Sequence, residues 1–399
     1  MKVLQVNCVY GNGSTGKITA DLHHGLLERG ISSVVCYGRG ADVAESGIYR
    51  ICSEKYARIH HAISKITGIM YGSCSNSTRH LETLIERKRP DIVHLQCING
   101  YFVNIYNLLK YLKKSHIPTI LTLHAEFMYT GGCGYSLDCE KWKSVPGCGD
   151  CPIWKTETGS CFRDGTRVMW SKMKEAFDGF DNLTVVSVSP WLMNRANDSS
   201  ILKDKDHMVI YNGLNTHVFY RHETSAHDKK IIFHASPSFN DDPHHIKGGY
   251  YVLELAKRMP EVNFVVAGPY SVKGTIPSNV EMLGRISDQN ELAKRYSEAD
   301  LTLLASKRET FSMICAESLC CGTPIVGFKA GAPEQIALEK YSEFVDYGDL
   351  DALEAAARRS LSGEKDTAIS ETAAARYSNA IMTERYIAAY TDRMRGNKK

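Results

Sequence analysis

Glu309 and Glu317 stand eight residues apart in Ser306-Lys-Arg-Glu-Thr-Phe-Ser-Met-Ile-Cys-Ala-Glu-Ser-Leu. The apolar run Asp300-Leu-Thr-Leu-Leu-Ala before them has the make-up of a buried parallel strand. Gly322-Thr-Pro-Ile-Val-Gly after them reads as the next strand. Glu309 therefore falls in a strand-to-helix loop and Glu317 in the helix that follows. At such a helix start the backbone N–H groups of Phe311, Ser312 and Met313 lack intrahelical acceptors and form a ready anion site. A carboxylate on each side of an anion site suits a ligand that joins a diphosphate to many hydroxyls, as a nucleotide-sugar does. The plainer alternative is a loop glutamate paired with Lys307 or Arg308 and an exposed helix glutamate. Spacing alone favours that alternative; the strand–loop–helix–Gly-Thr-Pro setting favours the site.

Other residues could serve the same chemistry. Lys247, in His244-His-Ile-Lys-Gly-Gly-Tyr, opens the first loop-to-helix turn of the second half. From there a lysine can reach phosphates at the Ser312 helix start and neutralise leaving-group charge; a surface lysine is the alternative, mildly disfavoured at a helix N-terminus. Gly11-Asn-Gly-Ser-Thr-Gly-Lys-Ile follows the first strand and opens a helix, so Gly13 and Ser14 are candidate ligand contacts in a loop that permits close backbone approach. The segment nearly matches a phosphate-binding P-loop, but Ile18 replaces the magnesium-ligating hydroxyl. His124 ends the strand Thr119-Ile-Leu-Thr-Leu, where open α/β sheets place ligands. His94 ends another strand and is a weaker candidate. Cys133, Cys139, Cys148 and Cys151 include one Cys-x-x-Cys pair, and four thiolates suit a structural tetrahedral zinc site. Reduced thiols are the alternative there.

These residues need elements to hold them. Short apolar strands alternate with amphipathic helices along all 399 residues, which predicts an α/β protein with parallel sheets in two or three domains. Expected strands are Val3–Val6, Val34–Tyr37, Ile92–Leu95, Thr119–Leu123 and Thr184–Val188, then, after a second start at Lys229, Asn263–Ala267, Asp300–Leu304 and Thr323–Val326. The polar stretch Arg221–Asp228 reads as the linker, and Ala380–Arg395 as a final helix that either packs on the second domain or crosses back. The stretch Tyr56-Ala-Arg-Ile-His-His-Ala-Ile-Ser-Lys-Ile-Thr-Gly-Ile-Met-Tyr places Ile59, Ile63, Ile66 and Ile69 near one helical face, which suits a core or, less commonly, a membrane surface or lipid acceptor. A net charge of +3 gives no case for nucleic acid, and no apolar run is long enough to span a bilayer. Thirteen cysteines without a secretory signal suggest a reducing cytoplasm.

Together these motifs resemble the retaining glycosyltransferases of family 4. That resemblance implies the GT-B fold, two Rossmann-like domains facing across a cleft: 1–215 on the acceptor side, with a Cys-rich insertion at about 130–162, and 229–378 on the nucleotide-sugar side, followed by a C-terminal helix at 379–399. Glu309 and Glu317 match the family's paired glutamates, Gly11–Gly16 its glycine loop, and Lys247-Gly248 its phosphate lysine. The likeness is strongest to a bacterial capsule, colanic-acid and O-antigen branch. It is carried by Thr122-Leu-His-Ala-Glu-Phe-Met-Tyr-Thr-Gly-Gly-Cys-Gly-Tyr, Cys139-Glu-Lys-Trp, Cys148-Gly-Asp-Cys-Pro and Ile98-Asn-Gly-Tyr-Phe. By resemblance, Glu317 holds the ribose, Glu309 the donor sugar, and Phe311, Ser312, Met313 and Lys247 the phosphates of a UDP or GDP sugar. The acceptor is a glycan or polyprenyl-diphosphate-linked glycan meeting His124, no metal is required for catalysis, and the protein works in the cytoplasm, peripherally at the inner membrane. Two departures stand out. The family's phosphate arginine is replaced in His234-Ala-Ser236-Pro, with Arg285 expected nearby in the fold but not an obvious replacement, and Ala125 follows the strand-end histidine where the branch often has Asp. The rival readings are a P-loop kinase or ATPase working through Lys17, and a zinc-organised binding protein.

Overall fold

A computed structural model describes residues 1–225 and 227–396. Ala226, in the expected linker, and residues 397–399, in the expected C-terminal segment, lie outside the described residues. The chain forms two compact units: Met1–Tyr211 together with the chain from Met382 onward, and Asn212–Ile381.

The first unit is built on a seven-stranded parallel sheet of β1 (Lys2–Val9), β2 (Ser32–Arg39), β3 (Ile48–Arg50), β4 (Ile92–Leu95), β5 (Thr119–Leu123), β6 (Leu183–Ser187) and β7 (Asp206–Val209), in the order β3-β2-β1-β4-β5-β6-β7. Its helices are α1 (Gly13–Glu28), α2 (Glu54–Thr67), α3 (Ser75–Lys88), α4 (Ile105–Ser115), α5 (Trp154–Thr158), α6 (Thr166–Phe177) and α7 (Pro190–Asp198). β4, β5 and β6 are buried at every residue, as a sheet covered on both faces by helices requires. Short β3 and β7 escape a reading based on apolar runs because they are the sheet's edge strands and are only partly buried.

The second unit has a six-stranded parallel sheet, β8 (Ile231–Ala235), β10 (Asn263–Ala267), β12 (Val280–Gly284), β13 (Leu301–Leu304), β14 (Ile325–Phe328) and β15 (Ser342–Val345), ordered β12-β10-β8-β13-β14-β15. A small ribbon pairs β9 (Phe239–Asn240) with β11 (Tyr270–Ser271). The helices are α8 (Gly249–Arg258), α9 (Gln289–Glu298), α10 (Met313–Cys320), α11 (Pro333–Ile336), α12 (Leu350–Ser362) and α13 (Ala368–Tyr377). Ile232, Val252, Leu255, Phe264, Leu303 and Phe328 belong to its main core.

The change of unit falls at Tyr211–Asn212, earlier than the expected linker. Backbone bonds explain why: Leu214 N–H donates to Tyr377 O at 2.9 Å and Asn379 N–H to Leu214 O at 2.9 Å, while His222 N–H donates to Ser297 Oγ at 3.1 Å. Residues 212–222 are thus bonded into the second unit. The last helix, α14 (Asn379–Gly396), returns the chain to the first unit from Met382 on. Its Tyr390 hydroxyl bonds His94 Nδ1 at 2.7 Å, Thr122 Oγ1 bonds both Tyr386 Oη and His94 Nε2 at 2.8 Å, and Arg393 reaches Asp206 at 2.8 Å. His94 is therefore a locked core residue: burial drives its pKa down to about 3, so it stays neutral.

In α2, Ala57 and Ser64 supply the buried face. Ile59 and Ile66 are instead 51% and 60% exposed and Ile63 is only partly buried, so this helix puts none of its isoleucines fully into the core. Among the described residues no helix is long and apolar enough to cross a membrane.

Candidate active site

Strand order reverses between β8 and β13, and such switch points place ligands beyond the carboxyl ends of the strands. The loop after β8 leads through the β9 segment to Lys247, and the loop after β13 carries Glu309. The two side chains meet: Lys247 Nζ donates to Glu309 Oε1 at 2.7 Å, with both side chains largely buried.

Each partner is held by backbone. Gly248, the residue after Lys247, caps α8 at φ 69° and ψ 24°. A Cβ there would lie 2.0 Å from Ala305 O, so only glycine lets the α8 loop approach the β13 loop this closely. Lys307 N–H donating to Ile246 O at 2.8 Å ties the same two loops together. Glu309 N–H donates to Ala330 O at 2.9 Å, and Ala332 N–H donates to Glu309 O at 3.2 Å. The 330–332 turn is fixed in turn by Glu334, whose carboxylate accepts from Ala330 N–H at 3.0 Å and Gly331 N–H at 2.9 Å. The one local signal for Glu334 is the turn Gly331-Ala-Pro-Glu.

Ser312 caps α10 at φ 76° and ψ 92°, a left-handed conformation that costs a non-glycine residue about 1–3 kcal/mol. Its Oγ accepts from Cys315 N–H at 3.4 Å. This strained corner sets the helix start, with Phe311 buried behind it and Met313 as first helical residue. One and a half turns on, Glu317 is partly buried and accepts from the Tyr296 hydroxyl at 3.1 Å. Tyr296, fully buried on α9, escaped the sequence reading because it meets Glu317 only through helix packing.

Ser236 does not replace an arginine. It is buried, and its Oγ donates to Ser238 O at 2.7 Å to shape the turn after β8. Arg285 is exposed beyond β12, the edge strand two places from β8, and forms no ion pair among the described residues. His234 comes closer to the lysine. Fully enclosed near the end of β8, it bonds Leu303 O through Nδ1 at 2.9 Å, while Nε2 is buried without a hydrogen-bond partner. Burial first, and the Lys247 charge second, bring its pKa down to about 4.

In the first unit, Gly13 and Ser14 are exposed at the start of α1, with Gly11 and Gly13 at φ 69° and 64°. Ile18 is only 3% exposed, packed inward where a P-loop would present its hydroxyl. His124 leaves the end of β5; burial lowers its pKa to about 4, so it offers a neutral imidazole.

All thirteen cysteines are free thiols, and burial pushes Cys148 up to about 11 and raises Cys133 and Cys151. Cys139, Cys148 and Cys151 stand close enough to Cys133 to raise its pKa further, while among the described residues no three of these four sulfurs come within 4.8 Å of one another. The Cys-rich segment is centred on buried Glu126, which accepts from Arg195 Nε at 2.5 Å, Ser136 N–H at 2.6 Å and Tyr129 Oη at 3.1 Å.

Comparison with known proteins agrees with this architecture. Residues 15–218 match the family described as Glycosyltransferase Family 4, and residues 240–377 match Glycosyl transferases group 1. A protein of Escherichia coli K12, provisionally named as the colanic acid biosynthesis glycosyl transferase WcaC, is 21% identical over 98% of this chain and 99% of its own length. Among solved structures, sucrose-phosphate synthase from Thermosynechococcus elongatus superposes with a TM-score of 0.67 at 15% identity, covering 98% of this chain and 99% of its own. Anabaena HepE in complex with UDP and glucose gives 0.62 at 13%, covering 98% and 99%. The lipopolysaccharide outer core galactosyltransferase WaaB gives 0.63 at 14%, covering all of both chains.

Proposed function

Since the chain belongs to glycosyltransferase family 4, we propose that it moves a sugar from a UDP- or GDP-type nucleotide-sugar to a hydroxyl of a glycan or polyprenyl-diphosphate-linked glycan. Transfer proceeds with retention of anomeric configuration, in surface polysaccharide synthesis. The observation that carries this reading is the Lys247–Glu309 pair, 2.7 Å apart on loops leaving both switch-point strands and followed by the Ser312 helix start. The UDP and glucose bound by HepE, and the colanic acid and lipopolysaccharide roles in the names of WcaC and WaaB, support it.

In this reading the diphosphate docks at the α10 start, where Phe311, Ser312 and Met313 present backbone N–H groups. Lys247 then shifts from Glu309 to the departing phosphate, and Glu309 is released to the donor-sugar hydroxyls. Glu317, steadied by Tyr296, takes the ribose. Lysine and helix start supply the positive charge that the step calls for, so it needs no metal. Glu309, taken up by hydroxyls of the donor sugar, is not placed to attack the anomeric carbon, which favours front-face substitution. The acceptor oxygen bonds the anomeric carbon on the face the phosphate leaves, and its proton passes to that phosphate oxygen. His124, Gly13 and Ser14 serve the acceptor or the donor's outer edge. The exposed Ile59 and Ile66, beside exposed Lys55, Arg58 and Lys65, give α2 the character of a peripheral membrane contact.

Thermal stabilisation by a panel of nucleotide-sugars identifies the donor. Its turnover should then fall at least about a hundredfold in Glu309→Ala and Lys247→Met and persist in Lys17→Ala. Full activity in Glu309→Ala with loss in Lys17→Ala would overturn the reading in favour of a P-loop enzyme.

A further inference from the structure

His23 and His24 follow one another on α1, and Glu45 lies in the loop between β2 and β3. Neighbours on a helix diverge by about 100°, so consecutive histidines rarely point to one place. Here the His23 side chain is turned wholly inward, His24 runs along the surface at 52% exposure, and Glu45 comes over both. Glu45 Oε1 stands 3.5 Å from His23 Nε2 and 2.9 Å from His24 Nε2, and all three ligand atoms lie within 4.8 Å of one another. Ligand atoms around a tetrahedral zinc ion, at bonds of about 2.0–2.1 Å, are separated by roughly 3.4 Å. No other group of three or more such side chains converges this closely among the described residues.

A second observation points to a ligand. His23 is fully buried, and its Nε2 has no hydrogen-bond partner while facing the carboxylate. At 3.5 Å a protonated Nε2 is too far for a good hydrogen bond to Glu45. An unprotonated Nε2 sets a lone pair against an anionic oxygen. A cation between the two satisfies both. The other face of the ring is already fixed, as metal-bound imidazoles require. His23 Nδ1 bonds Ser33 Oγ at 2.8 Å, Gln5 Nε2 donates to Ser33 Oγ at 3.3 Å, and Gln96 Nε2 donates to Gln5 Oε1 at 2.8 Å. Tyr10 Oη donates to the second oxygen of Glu45 at 3.2 Å.

We propose that His23, His24 and Glu45 form a site for a divalent metal ion of the zinc class, with water completing the coordination on the exposed side. The ion clamps the β2–β3 loop onto α1, the helix whose first turn carries Gly13 and Ser14.

Cobalt(II), added to metal-free protein, reports on this site. About one equivalent should bind with the ligand-field bands of a nitrogen–oxygen site and without thiolate-to-cobalt charge transfer. His24→Ala and Glu45→Gln, both at partly exposed positions, should weaken cobalt and zinc binding at least tenfold, whereas Cys148→Ser should leave it unchanged. Binding that survives both variants, charge-transfer bands that vanish in Cys148→Ser, or no binding by correctly folded protein would each overturn the proposal.

Discussion

Gly248→Ala tests whether the two switch-point loops must touch for the site to exist. The added methyl would lie 2.0 Å from Ala305 O, against an ordinary carbon–oxygen contact of about 3.3 Å. The α8 loop must therefore retreat by roughly 1.3 Å, and the Lys307 N–H to Ile246 O bond prevents either loop from yielding alone. A left-handed alanine at φ 69° costs about 1–2 kcal/mol and the forced contact about 1–3 kcal/mol, so the second unit loses about 2–5 kcal/mol. Lys247 is the adjacent residue, and a displacement near 1 Å from Glu309 costs about a hundredfold in rate. The assay is kcat/KM for nucleotide-sugar turnover alongside a thermal melt. Gly30→Ala is the control: its φ of 70° imposes the same backbone strain, but its Cβ would meet nothing within 4 Å. It should lose about 1 kcal/mol or slightly more and keep its kcat/KM. If Gly248→Ala matched Gly30→Ala in both measurements, the close approach of the loops would not be what positions Lys247.

Two further outcomes are expected. Tyr296→Phe removes the hydroxyl that donates to Glu317 at 3.1 Å while keeping the ring that packs edge-on to Phe233, so the donor KM should rise about three- to tenfold with kcat nearly unchanged; a fall in kcat at constant KM would contradict a ribose-holding role for Glu317. Hydrogen bonds from Arg39, and then from Gly40 N–H, hold Glu54 down at about 2 from an ordinary 4.5. A depressed carboxylate stabilises the fold above its unfolded value, and that contribution fades as pH falls from 4.5 towards 2. Discounted for exposure of the pair, it amounts to about 1–2 kcal/mol, measurable as a stability gap between the parent and Glu54→Gln that closes across this window. A gap independent of pH would show that packing, not charge, is what the variant disturbs.

Much of the candidate site in the second unit was legible because it is written locally. A buried strand, a loop glutamate, a helix start and a second glutamate follow one another within 301–317, and periodicity is enough to place them. Edge strands β3 and β7 and the true change of unit at Tyr211–Asn212 were not legible, because partial burial and backbone bonding to distant residues leave no pattern in the chain. His94 shows the limit most clearly. A histidine at a strand end looks the same in sequence as His124, yet a tyrosine 296 residues later closes over it and makes it core.

The sequence by itself determined the alternating α/β architecture, the two-part organisation and the identity of the charged groups, since apolar periodicity and residue type act over a few residues. Only the tertiary structure decided which of those groups meet. The Lys247–Glu309 pair, the Tyr296–Glu317 bond, the Glu126-centred insertion and the His23–His24–Glu45 cluster all depend on packing that brings separate elements within about 3 Å of one another, and no local signal carries that distance.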